Sequence, residues 1–314
     1  MTSDHMASLL VLAAGMGSRY GGLKQVDPVG PNGETLMDYS LHDAIKAGFS
    51  KVVFLIRKEM HEVFHQQIGS KYIGKIDVEY AYQSVHDLPE EINFSGKREK
   101  PWGTGHAVWC ARDNLANSSF AVINADDFYG TATFRELISS ISQFDQKEFN
   151  SGKICGAIIG YFLNETLSDH GSVSRGLCKI KDGKLRSVEE WSGIARSNNR
   201  ILGKDSHGNN HQLFGDEIVS MNVWAFPPAV FSFLSAGIFH FFESSSNLST
   251  DEFYLPAAVD NWISEGRAEF NAGIAKCKWL GVTYREDKPV VSAAISEMIS
   301  KGEYPASLLK KNQE

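Results

Sequence analysis

The sequence predicts an α/β fold, a mostly parallel sheet flanked by helices, on three observations. Short β-rich apolar runs alternate with helical patterns through the first half of the chain. Residues of unusual chemistry fall just after those runs, where ligands bind in such sheets. The apolar residues come in short stretches, none approaching the roughly 20 that span a bilayer.

Taken in order, Leu9–Ala13 reads as a first buried strand, and a helical segment from Leu36 is closed by Gly48. Val52–Ile56 is a strand, Lys58–Ile68 a polar helix and Val78–Tyr82 a strand. A helix begins near Thr104, Phe120–Asn124 is a strand, and Thr133–Phe144 is a helix. In the less regular second half, Lys153–Phe162 is a long strand. A hairpin turns at Asp182-Gly183 between Leu177–Ile180 and Leu185–Val188. Residues 191–216, rich in Ser, Asn, Gly and His, predict a mobile loop. Glu217–Phe226 returns to strand, and Pro289–Lys301 is an amphipathic helix with proline in its first turn. The aromatic string at 231–242 reads as core.

With 314 residues, 42% of them hydrophobic, the chain can bury a sizeable core without staples. The expected organisation is one unit over 7–290, its halves 7–150 and 151–290, followed by a C-terminal helix and tail at 291–314. A net charge of −7 argues against nucleic-acid wrapping. The four cysteines form no CxxC pair, so zinc and a disulfide framework are not expected. The start carries no basic leader. A cytoplasmic, reduced protein without membrane or nucleic-acid partners is the expectation.

Residues 12–25, LAAGMGSRYGGLKQ, carry a strand into four glycines, an arginine and a lysine. Gly15 and Gly17 let backbone N–H groups approach a ligand, and such groups turned the same way form an anion-binding concavity. Arg19 and Lys24 add charge where a polyphosphate would lie. A tight turn needing small residues is the bland alternative. No GxxxxGK[ST] string occurs. A GxGxxG fingerprint fails because Tyr20 holds the third glycine position and the next strand ends in Arg57-Lys58 rather than an acid.

This segment resembles the signature loop of the nucleoside-triphosphate sugar-1-phosphate nucleotidyltransferases, LAAGxGxR followed shortly by a lysine. The resemblance implies a Rossmann-like sheet with an elaborated sugar-binding second half. It places Leu12, Ala14, Gly15 and Gly17 on the nucleotide, with Arg19 and Lys24 on its phosphates. The family's strand-terminal Gln and GTxHA-like helix start match Gln83, Gly103 and Thr104, which would hold the nucleobase; GTGHAV is closest to uridylyl-transferring members. Thr104 is also a plausible N-cap. Between them, Ser84–Pro101 reads as a basic flap over the phosphates or a surface insertion. Ala125-Asp126 in VINADDFYG matches the family's GD-like pair, so Asp126 is the implied Mg²⁺ ligand and Asp127 a helix cap.

HGS, VEE and MNVWAF fall in the order of the family's sugar-binding segments, implying Gly171, Glu190 (Glu189 in the alternative register) and Asn222 on the sugar. The family's frequent lysine after the glutamate is Trp191 here. Gly281 stands where a WLD-like string has its acid, and Asp287 is a helix-capping candidate. The implied activity is Mg²⁺-dependent transfer from a nucleoside triphosphate, UTP favoured, to a sugar 1-phosphate, releasing pyrophosphate. The alternatives are a cytidylyltransferase acting on a small phosphorylated alcohol such as phosphocholine, a non-catalytic nucleotide-sugar-binding protein, and, last, an NAD-dependent oxidoreductase. Oligomeric state is open.

Overall fold

The computed structural model describes residues 7–15, 27–144, 152–198 and 200–308. One large mixed sheet dominates it. The strands β1 (Ser8–Leu12), β2 (Lys51–Ile56), β3 (Asp77–Tyr82) and β4 (Phe120–Asn124) are parallel neighbours, with β1 between β2 and β4. The inner three, β1, β2 and β4, are short apolar runs buried on both faces, as parallel strands with crossover helices require, while β3 at the edge is partly exposed. A two-residue strand, β5 (Asp127–Phe128), follows β4 outside the main sheet.

The first crossover helix, α1 (Leu36–Ala47), starts on a capping box in which Thr35 and Asp38 satisfy each other's backbone. It ends at Gly48, held in the left-handed region at φ 105°. The second crossover is a 3₁₀ turn at Lys58–Met60 leading into α2 (His61–Gln67). Next come α3 (Thr104–Trp109) and α4 (Arg112–Leu115), then α5 (Thr131–Ser142) after β5.

The second half extends the sheet by antiparallel pairing. It runs through β6 (Ile154–Phe162), β7 (Val173–Lys181), β8 (Lys184–Ser197), β9 (Arg200–Lys204), β10 (Asn210–Leu213), β11 (Ile218–Phe226) and β12 (Ala268–Ile274). Parallel pairing is therefore confined to the first half and the β12–β6 pair. The β7–β8 hairpin turns at Asp182 and Gly183, both at positive φ (55° and 69°), the geometry of a two-residue type I′ turn.

The segment 191–216 is not a loop. It continues β8, then forms β9 and β10, with Ile194, Ile201 and Leu213 buried between more exposed neighbours. Those apolar residues are too widely spaced to stand out by composition, but they suffice to seat an edge ribbon on the core.

Three further elements complete the chain: α6 (Val230–Ser244), α7 (Leu255–Ser264) and, after the short strand β13 (Leu280–Gly281), α8 (Lys288–Ser300). One core cluster covers each sheet face. Val11, Phe54, Ile123 and Leu137 lie in the first, and Leu10, Val53, Val122 and Leu234 in the second. The aromatic string on α6 packs Phe231, Phe233, Phe241 and Phe242 against the second. A third cluster joins Tyr39, Phe128, Leu280, Val291, Ile295 and Tyr304, so the C-terminal helix is sealed onto the first half of the chain. No helix among the described residues is long and apolar enough to cross a membrane.

Candidate active site

Parallel pairing places the ends of β1 and β4 side by side. Leu12 is in register with Asn124, and the Ala125 amide donates to the Leu12 carbonyl at 3.1 Å. The start of the glycine-rich segment and the Ala125-Asp126-Asp127 turn thus open onto one edge of the sheet. Leu12, Ala14 and Gly15 lie there. Gly17, Arg19 and Lys24 lie outside the described residues. Downstream of them, Asp27 accepts from Lys288 Nζ at 2.6 Å, and Asn32 Nδ2 donates to the Ala306 carbonyl at 2.6 Å.

Asp126 sits in the turn, half-buried. Asp127 is buried in β5 and does not cap α5, whose N-cap is Gly130. The Asp127 Oδ2 accepts from Asn124 Nδ2 at 2.9 Å and lies 3.1 Å from the buried Tyr129 hydroxyl. Opposite Asp127 in a two-stranded ribbon stands Gly281. A Cβ there would lie 2.8 Å from Asp127 Oδ1 and 2.2 Å from the Trp279 ring, so the indole fills the space an acid would need. Asp287 accepts from Ser168 and from the Tyr284 amide, a bracing and capping role.

The base side is built on β3 and α3. Gln83 follows the last residue of β3, and its Nε2 donates to the Gly103 carbonyl at 3.3 Å. It also lies 3.4 Å from His106 Nδ1. His106 is fully buried, and burial pulls its pKa down to about 4, so the ring is neutral. Its Nε2 is 2.6 Å from the Asp87 carbonyl and must carry the proton; Nδ1 is then a bare acceptor. That tautomer fits the Gln83 amide nitrogen turned towards Gly103 and His106.

Gly103 is at φ 102°, and a Cβ would strike the Phe253 carbonyl at 2.7 Å, so only glycine fits. It is Gly103, not Thr104, that caps α3; the Thr104 hydroxyl accepts the Leu255 amide instead. The basic residues of 84–101 do not converge on the phosphate end. Arg98 is buried on the Trp102 ring and donates to three carbonyls, while Lys100 pairs with Glu252.

On the sugar side, Asn222 adopts φ 57° inside a bulge where the β11–β6 register shifts between Ser220 and Trp224. The bulge re-aims the side chain. Its Nδ2 donates to Asn124 Oδ1 at 3.3 Å, and Asn124 in turn donates to Asp127. Strand alternation separates Glu189 from Glu190. Glu189 accepts from the Ser206 hydroxyl, which lowers its pKa, whereas Glu190 lies over Gly176. Protein surrounding Glu190 raises its pKa, and the charge of Arg175 opposes that rise.

Gly171 is not beside Glu190. It abuts the Tyr284 ring ahead of β7. The glycine that β7 pairs with Glu190 and Ser220 is Gly176, missed because the HGS string matched in order while strand register decides proximity. Arg175 was missed as well. It carries a desolvated guanidinium within reach of the charges of Asp127, Glu190 and Asp126.

A family model described as nucleotidyl transferase matches residues 9–244. The chain belongs to the nucleotidyl transferase family. A curated member, the UTP–glucose-1-phosphate uridylyltransferase of Bacillus subtilis (strain 168), is 22% identical over 209 residues, 62% of this chain and 68% of that protein. Among solved structures, the inositol-1-phosphate CTP transferase from T. maritima superposes with TM-score 0.59 at 12% identity, covering 94% of this chain and 97% of that one. A UDP-glucose pyrophosphorylase complexed with UDP-glucose gives 0.57 at 16%, covering 93% and 99%. Members of this family are enzymes, and the Rossmann-like core described above is their fold.

Proposed function

We propose that this nucleotidyltransferase joins a nucleoside triphosphate, UTP by preference, to a sugar 1-phosphate and releases pyrophosphate. The observation that carries the reading is the hydrogen-bonded chain from Asn222 through Asn124 to Asp127, which ties the sugar half to the acids at the phosphate end.

In the reaction, an oxygen of the sugar phosphate attacks the α-phosphorus in line and pyrophosphate leaves, so no protein nucleophile is required. The protein positions two anions and offsets their charge. Arg19 and Lys24 are proposed for the triphosphate, with the amides of Gly15 and Gly17. Glu190, Asn222 and the backbone at Gly176 are proposed for the sugar hydroxyls.

Mg²⁺ suits the donor set: two adjacent carboxylates supply hard oxygens, and substrate phosphates complete such a shell. Asp126, half-buried in the turn after β4, would hold the ion; Asp127 Oδ2 beside it accepts from Asn124 and Tyr129. When bound, the ion would neutralise phosphate charge during transfer.

The base preference rests on Gln83. With its nitrogen held inward, the oxygen accepts from the imide N–H of uracil or thymine, while ring N3 of cytosine offers it only a lone pair. The test is a matrix of four nucleoside triphosphates against a panel of hexose 1-phosphates and phosphocholine, scored by pyrophosphate release. UTP with a hexose 1-phosphate is expected to give the highest rate. Turnover with CTP and phosphocholine alone would replace this reading by the cytidylyltransferase one.

A further inference from the structure

We infer that Arg175 binds the phosphate of the sugar 1-phosphate, doing from β7 what the family's lysine does from the position held here by Trp191. The inference rests on the nucleotidyltransferase reading above and adds a specificity-determining residue to it.

Strand register is the first support. Arg175 is the cross-strand partner of Trp191 in the antiparallel β7–β8 pair. Directly opposed residues project to the same face with Cβ atoms about 5 Å apart. A cation rooted at 175 therefore starts beside the place where one rooted at 191 would start. Trp191 has a different occupation: its ring packs on the first core cluster and lies 5.2 Å from His211.

The second support is how the guanidinium is held. Its Nε donates to Thr166 Oγ1, and its Nη atoms to the Thr166 and Ser174 carbonyls. These three bonds fix the side chain and leave the rest of its donor fork for another acceptor. A planar fork fits a phosphate in a paired arrangement that a lysine cannot reproduce. The side chain also lies over the Trp279 ring, 5.4 Å from its centroid. That indole contacts Gly281, which faces Asp127. Arg175 is thus linked through the Trp279 ring to the strand that faces Asp127, and it lies within electrostatic reach of Asp127, Glu190 and Asp126.

The third support is electrostatic need. Asp126, Asp127 and Glu190 bring negative charge to a cleft that must admit a dianionic sugar phosphate. The Arg175 guanidinium lies within electrostatic reach of all three acids.

The experiment compares wild type, Arg175→Gln, Arg175→Lys and the double variant Arg175→Gln with Trp191→Lys. Each is assayed with UTP and the best hexose 1-phosphate, and titrated calorimetrically with that hexose 1-phosphate and with inorganic phosphate. Arg175→Gln is expected to raise KM for the sugar phosphate at least tenfold, keep KM for UTP within twofold, and weaken both calorimetric affinities. Arg175→Lys keeps the charge but cannot hold all three of the guanidinium's bonds, one to the Thr166 hydroxyl and two to carbonyls, so it separates phosphate binding from bracing of the Thr166 turn. It is expected to retain part of the affinity, more than Arg175→Gln retains. The double variant is expected to regain part of the loss.

Equal effects on both KM values would overturn the proposal, as would an Arg175→Lys variant as impaired as Arg175→Gln. Melting temperatures identify a variant that fails to fold, and the lysine variant then decides the outcome. If the wild type turns over no sugar 1-phosphate, the broader reading fails first; if it does and Arg175→Gln matches it, only this inference fails.

Discussion

The two halves of the molecule build their share of the cleft by different means. In the parallel half, Gln83 and Asp126 lie just past the end of a strand, so a short string such as VINADD or AYQ carries both the strand and the group it delivers. In the antiparallel half, the residues lie inside long strands, and only the pairing of β7 with β8 and β11 decides which of them meet. A slip of one residue there exchanges Glu190 for Glu189 and sends the carboxylate to the opposite face. Strand ends therefore reveal a site in the sequence, whereas strand interiors conceal one until the register is known.

The largest effect that would break this contrast belongs to the parallel half. Asp126→Ala should lower pyrophosphate release by roughly a thousandfold or more, the scale of losing a group that offsets developing charge. Asp126 is half-exposed in a turn, so circular dichroism and melting temperature should stay close to wild type. Full activity would remove it from the site.

A smaller effect is expected in the antiparallel half. Glu190→Gln should raise KM for the sugar 1-phosphate about ten- to a hundredfold, the range for a hydrogen bond to a charged group. The matched Glu189→Gln should change it by less than twofold. Steady-state kinetics with the sugar phosphate varied at fixed UTP would show a reversed order if β8 were read in the wrong register.

The smallest effect concerns stability at the seam between the parallel half and the C-terminal segment. Asp43 is buried, and burial raises its pKa to about 6 although Tyr304 and Thr131 donate to it. Its folded pKa lies above that of an unfolded aspartate. The folded state therefore binds the extra proton, and this group's stabilising contribution is lost as pH rises from about 4 through 6. Tyr304→Phe removes a donor to the ionised form and should cost about 1 kcal/mol at pH 7. The cost should shrink towards pH 4. Urea titrations at both pH values measure it, and a cost that does not vary with pH would show that Asp43 stays ionised throughout.

How much of this was legible follows the same division. The strands β1 to β4 and the helices between them were readable because apolar runs and caps act locally; Gly48 ends α1 as its sequence suggests. The grouping of Asn124, Asp127 and Tyr129 could be anticipated only in part, because the Tyr129 hydroxyl also reaches the Met221 carbonyl from a distant strand. The edge ribbon at β9 and β10 was hidden by its polar composition. Gly176 and Arg175 were hidden by register, though the Arg-Gly pair in VSRGL, an internal charge beside a glycine on a strand, was a signal available to a reader of alternation.

The contacts of residues 27 and 32 with the end of the chain have one more implication. Lys288 grips the carboxylate of Asp27, and the Ala306 carbonyl holds Asn32, so the exit of the glycine-rich segment is moored to the tail. Shortening the protein behind α8 would remove the Ala306 anchor and leave the exit of the glycine-rich segment on Lys288 alone. An affinity handle fused to the tail would pull on the same anchor.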